Sequence, residues 1–158
     1  MSNIEYDYLA VGYTSEDTFM LDFDNKSYGI VLKYTKWILS NYEHLFNTAI
    51  ILQTSEHSYG VIFLPPHDFD TLIRLNDTLA SLGVGDALAL RERQRRGDFT
   101  IRISGKMHIS GKVNAPVIKA IVYIDMGYNM IETISKVMHY LTMFNKPDDL
   151  QVVYERNK

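Results

Sequence analysis

From residue 18 onward the apolar residues switch between two periods, and the order of those switches restricts the fold more than any single motif does. Residues 18–25 (TFMLDFDN) alternate as a strand does. From Ser27 the spacing changes: Ile30, Tyr34, Trp37, Ile38, Leu45 and Phe46 recur at three- and four-residue steps, which predicts an amphipathic helix over 27–46. Two strand-like runs follow, 48–55 (TAIILQTS) and 59–64 (YGVIFL), closed by Pro65-Pro66, which no strand interior accepts. A second helix is expected over 69–82, with Phe69, Leu72, Ile73, Leu79 and Leu82 on one face and Gly83 and Gly85 suited to its end. Residues 98–108 (DFTIRISGKMH) alternate again as a strand.

Strand, helix, strand, strand, helix, strand is the split βαβ order. The expected class is therefore α+β, with an RRM-like or ferredoxin-like core. An extra N-terminal strand is expected over 6–13 and a short helix over 86–96. A further strand follows at 116–126, then a C-terminal helix over about 130–145, lined by Ile131, Ile134, Met138 and Leu141. The tail, 150–155, suits an edge strand. With 158 residues the chain is long enough for one domain with a real core, taken as 1–158, and too short for two ordinary ones.

Composition excludes several classes. At 46% hydrophobic and 22% charged residues the chain is not a disordered tail. It has no apolar run of membrane-spanning length, and the opening MSNIEYDY lacks a secretory pattern. Cysteine is absent, so disulfides, thiolate metal sites and cysteine nucleophiles are out. A soluble, cytoplasmic domain without a membrane partner is expected. The net charge of −3 hides an asymmetry: residues 91–119 carry eight basic against two acidic side chains, +6, leaving −9 for the remainder. That segment is the candidate for contacting phosphates.

Three runs carry candidate chemistry. In FMLDFD, side chains two apart on a strand share a face, so Asp22 and Asp24 project together about 6–7 Å apart. Such a pair suits a divalent cation such as magnesium, which takes a few carboxylate oxygens plus water and phosphate; the alternative is that Asp24 caps the following helix. In the turn Thr54–Gly60, small hydroxyls and a glycine let a ligand approach the backbone; the alternative is an ordinary polar turn. In RISGKMH, Arg102, Ser104 and Lys106 share a strand face and suit the gripping of a triphosphate; the alternative is a basic edge strand that discourages edge pairing.

With these runs in this order, the chain resembles the archaeo-eukaryotic primase superfamily, especially the small primase-polymerase catalytic domains of plasmids, viruses and mobile elements. FMLDFD matches the first motif of that family, with Asp22 and Asp24 in the metal-ligand positions. The Ser-x-His motif aligns in two ways: Ser55-Glu56-His57 fits the letters, while Ser58-Tyr59-Gly60 leads directly into the strand. FTIRISGK looks like the family's basic strand. The likeness spans roughly residues 5–125.

It implies template-directed phosphodiester synthesis from nucleoside triphosphates. Two Mg2+ or Mn2+ ions would be held by Asp22, Asp24 and a third acid, Asp86 by preference over Glu92 and Asp98. Arg102 and Lys106 would hold the triphosphate, with Ser58 or His57 hydrogen-bonded to it. Arg91, Arg93, Arg95 and Arg96 would track a single-stranded DNA template, in company with other replication proteins. Two other functions fit the same residues. One is a catalytically degenerate primase-like domain that binds single strands as a replication accessory, with Tyr59, Phe63 and Phe99 stacking bases. The other is a ferredoxin-like module for a protein or small molecule.

Overall fold

The computed structural model describes residues 2–7, 10–84, 99–102, 106–108, 111–113, 116–124, 132, 135–136, 138–139 and 151–154. Among them run β1 (Ser2–Asp7), β2 (Ala10–Ser15), β3 (Phe19–Asp24), α1 (Tyr28–Asn41), β4 (Thr48–Ser55), β5 (Ser58–Leu64) and α2 (Phe69–Ser81). They are followed by β6 (Phe99–Arg102), β7 (Lys106–His108), β8 (Gly111–Val113), β9 (Val117–Tyr123) and β10 (Gln151–Tyr154).

The main sheet runs β10-β9-β4-β5-β3. Its four strands β9, β4, β5 and β3 are antiparallel, and β10 joins parallel to β9. The described part of the molecule is thus α+β, an antiparallel four-stranded sheet with two helices, compatible with a small ferredoxin-like fold. The β4–β5 hairpin takes the two central places, and the first strand of the unit, β3, flanks it.

Both faces of that sheet are covered. Phe23 stacks on Tyr34 of α1 with centroids 6.1 Å apart, and Tyr59 meets Tyr28 at 6.0 Å, so the odd-numbered residues of β3 and β5 face α1. Phe19, Phe46 and Phe63 pack at 5.4–5.8 Å on the same side. The even-numbered residues Ile50, Leu52 and Ile62 point the other way and are fully buried as well. Burial on both faces explains why β4 and β5 read as continuous apolar runs instead of alternating ones.

Helix α1 begins at Ser27, whose Oγ accepts from the Ile30 N–H at 3.3 Å. It ends at Asn41, whose side-chain amide donates to the Trp37 carbonyl at 2.8 Å. That is earlier than the apolar spacing predicts; Leu45 and Phe46 belong to the following turn, with Phe46 still in the core. The buried stripe is Val31, Thr35, Ile38 and Leu39, whereas Ile30 and Trp37 stand 44% and 40% exposed. Helix α2 starts at Asp68 and buries Leu72, Leu75 and Leu79; Leu82, expected inside, caps its end in solvent. Gly83 there adopts φ 70°, and the Val84 N–H returns to the Leu79 carbonyl at 3.0 Å.

Two expectations about strands change. Residues 6–13 do not form one strand: β1 and β2 pair as a hairpin, Tyr6 against Val11. Residues 98–108 do not form one strand either. β6 pairs with β2 in a three-stranded sheet, β1-β2-β6, while β7 and β8 form a separate two-stranded ribbon. Alternation marks a strand but not its partner, and here two segments with similar patterns join different sheets. The strand that completes the unit after α2 is β9. The tail pairs at the sheet edge as β10, and Glu132, Ser135, Lys136, Met138 and His139 are helical, with Met138 packed against the core. The expected helix over 86–96 lies outside the described residues.

Candidate acidic site on the edge strand

The acidic pair stands on β3, the edge strand of the main sheet. Along β3, Phe19 to Leu21 and Phe23 are buried, Asp22 is half-buried and Asp24 exposed. Since Phe19, Leu21 and Phe23 face α1, both aspartates project from the opposite face, on the side expected. The register against β5 sets Asp22 across from Gly60 and Asp24 across from Ser58. Facing residues in an antiparallel pair bring their Cβ atoms to about 4.5–5.5 Å. Ser58, half-buried, is therefore the cross-strand neighbour of Asp24.

Local sequence fixes this end of the sheet. Ser55 and Ser58 pair, so Glu56 and His57 form the hairpin turn, and the Gln53 side-chain amide donates to the Glu56 carbonyl at 3.2 Å. On the other side Asn25, at φ 54°, turns the chain out of β3. The Lys26 N–H then donates to the His57 carbonyl at 3.1 Å, fastening the exit of β3 to the hairpin turn. His57 and Glu56 are both largely exposed, His57 Nε2 lying 3.8 Å from Glu56 Oε1. The helix-cap explanation for Asp24 does not hold, because Ser27 takes that position.

The basic residues are only partly brought in. β6, which ends at Arg102, runs within 8 Å of β3 between Cα atoms, and its register with β2 sets Arg102 across from Gly12. The strand of the acidic pair and the strand of Arg102 are thus neighbours. Lys106 opens β7 in the separate ribbon, so Arg102 and Lys106 do not share one strand face as expected. The junction is tied at its base: Ser15 Oγ donates to Asp17 Oδ1 at 2.7 Å and accepts from the Thr18 N–H at 3.1 Å, while the His67 N–H donates to the Asp17 carbonyl at 2.8 Å.

Compared with known proteins, the chain matches no family model, no curated sequence and no solved structure.

The acidic pair places two carboxylates on one strand face, one half-buried and one in solvent, across from Gly60 and Ser58. Both aspartates also interact within the fold. Among the described residues no third acidic, histidine or cysteine side chain completes a metal-binding group with them. Asp86, Glu92 and Asp98 lie outside the described residues, as do Arg91, Arg93, Arg95 and Arg96.

Two of the three expected stacking residues are corrected: Phe63 is fully buried and Tyr59 6% exposed, both on the α1 side, so neither can stack a base, and the side chain of Phe99 lies outside the described part of the structure. Burial and the neighbouring Tyr59 raise the Tyr28 phenol above its ordinary pKa, and burial raises that of Tyr59. The Lys119 ammonium lies 5.4 Å from the Tyr28 ring centroid. These groups belong to the packed face. Among the described residues no helix is long and apolar enough to cross a membrane.

Sequence reasoning did not foresee the Lys26–His57 fastening. Its one local signal is Asn25, a residue type that tolerates the left-handed conformation the exit requires.

Proposed function

We propose that this chain is a metal-dependent nucleotidyltransferase of the primase-polymerase type, acting in replication to join nucleoside triphosphates on a single-stranded DNA template. The observation that carries this is the placement of Asp22 and Asp24 on one face of the edge strand β3, opposite Gly60 and Ser58, with the strand of Arg102 alongside. The RRM-like description of the core belongs to the same proposal.

Asp22 and Asp24, with a third acid for which Asp86 is the candidate, would hold Mg2+ or Mn2+. Bound there, such an ion would acidify the attacking 3′-hydroxyl and stabilise the leaving pyrophosphate. The 3′-hydroxyl would lose its proton to solvent and its oxygen would bond to the α-phosphorus while the bond from that phosphorus to the pyrophosphate oxygen breaks. The chain's own groups position and neutralise. The Ser58 hydroxyl donates to a phosphate oxygen, His57 stands at the rim, and Arg102 and Lys106 offset triphosphate charge. Arg91, Arg93, Arg95 and Arg96 supply charge for the template.

Primer extension with Mn2+ tests this. Asp22→Ala and Asp24→Ala are expected to lower the rate by roughly a hundredfold or more with folding intact. Unchanged extension in both variants would remove the assignment.

A second function draws support from one feature of the register. Gly60 lies opposite Asp22, and His57 sits beyond the ladder in the turn, so neither alignment of the Ser-x-His motif puts a histidine across from the acids. On that footing the chain is a non-catalytic relative that binds single strands as a replication accessory. Salt-sensitive strand binding that is indifferent to Asp22→Ala, with no extension activity, is its signature.

A further inference from the structure

We infer that Lys26 is a triphosphate-contacting residue of this site, which the basic strand alone does not supply; the inference rests on the nucleotidyltransferase assignment. A triphosphate between two carboxylates needs cations on the approach to the acids as well as the metal charge. The two cations expected to act together, Arg102 and Lys106, belong to different sheets. Lys26 is two residues beyond Asp24, and its N–H is bonded to the His57 carbonyl at 3.1 Å. That bond sets its backbone beside the turn leading into Ser58, the residue facing Asp24. The side chain is exposed. Among the described residues it makes no ion pair, although Asp24 and Glu56 are both close along the chain or across the turn.

Nor does stability explain the lysine. It precedes the N-cap Ser27, at the end of α1 where the helix dipole disfavours a cation, and the first turn of α1 has no acidic residue to offset it. A lysine held there gains by meeting an anion from outside the chain. An ammonium on a flexible stem acts as a point charge and tolerates the movement of a phosphate tail during turnover. The part of the substrate nearest this turn is the polyphosphate held by the acidic pair. Lys26 therefore distinguishes a triphosphate from a monophosphate and contributes little to template binding.

The test uses the full chain with Mn2+ and measures binding of a deoxynucleoside triphosphate, of the matching monophosphate, and of a single-stranded oligonucleotide. Lys26→Gln is expected to weaken triphosphate binding roughly ten- to hundredfold. Monophosphate and oligonucleotide binding stay unchanged, and Lys26→Arg recovers most of the loss. The melting temperature of Lys26→Gln should equal or exceed the parent's, which separates the effect from misfolding. If triphosphate binding survives Lys26→Gln but falls in Asp22→Asn, the role of Lys26 is wrong and the acidic site stands. The lysine's role is equally overturned if oligonucleotide or monophosphate binding falls as much as triphosphate binding. If Asp22→Asn leaves metal-dependent triphosphate binding untouched, the site assignment itself fails and takes Lys26 with it.

Discussion

Asp68 shows how one side chain sets both a boundary and a pH response. Its carboxylate accepts from the Thr71 hydroxyl at 2.6 Å and from the Thr71 N–H at 3.2 Å, starting α2. Those two bonds hold its pKa below the ordinary carboxylate value, with a smaller contribution from the neighbouring His67. A depressed carboxylate contributes stability above its unfolded pKa and loses it as the pH falls through the folded value. Asp68→Ala should therefore melt below the parent at neutral pH, and the gap should close as the pH falls through the lowered folded-state value. Melting curves across that range check it; a gap independent of pH would show that the hydrogen bonds to Thr71 are not its source. At the acidic site, the sequence shows which residues can act but not how exposed each one is. The covering of the sheet leaves Asp22 half-buried and Asp24 in solvent.

At the scale of elements, two glycines that look alike in sequence differ in kind. A Cβ added at Gly29 or Gly83 would meet nothing within 4 Å, so packing does not distinguish them. Gly83 ends α2 at φ 70°, where an alanine costs about 1–2 kcal/mol. Gly29 lies inside α1 without a positive φ, and alanine there should gain about 0.5 kcal/mol. Chemical denaturation of Gly29→Ala and Gly83→Ala reads both signs; equal effects would contradict the two backbone conformations. β4 was legible almost residue for residue because its apolar run is bounded by polar turns, and α2 because capping residues mark both ends. α1 was legible in position but not in its inner face. Ile30 and Trp37 satisfy a helical period as well as Val31 and Leu39 do, and only packing against β4 and β5 selects the stripe that is buried.

At the scale of the whole molecule, the separation of the basic segment gives a directional prediction. β6 lies beside β3 while β7 belongs to another ribbon, so Arg102→Ala should weaken metal-dependent triphosphate binding by roughly tenfold. Lys106→Ala should weaken it less. Titration of both variants decides, and a larger loss in Lys106→Ala would contradict the neighbouring of β3 and β6 as the basis of the site. The sequence by itself determined the alternation of strands and helices from β3 to α2, the pairing of Asp22 with Asp24 on one face, and a turn between the two middle strands, which the structure narrows from Thr54–Gly60 to Glu56 and His57. These follow from local periodicity, steric preference and capping, which act over a few residues. Tertiary structure alone decided that the basic strand breaks in two, that β9 and not β6 completes the main sheet, and that Tyr59 and Phe63 are core. Strand partners and buried faces depend on contacts between residues far apart in the chain, and similar alternating patterns satisfy several pairings equally well until the core closes on one of them.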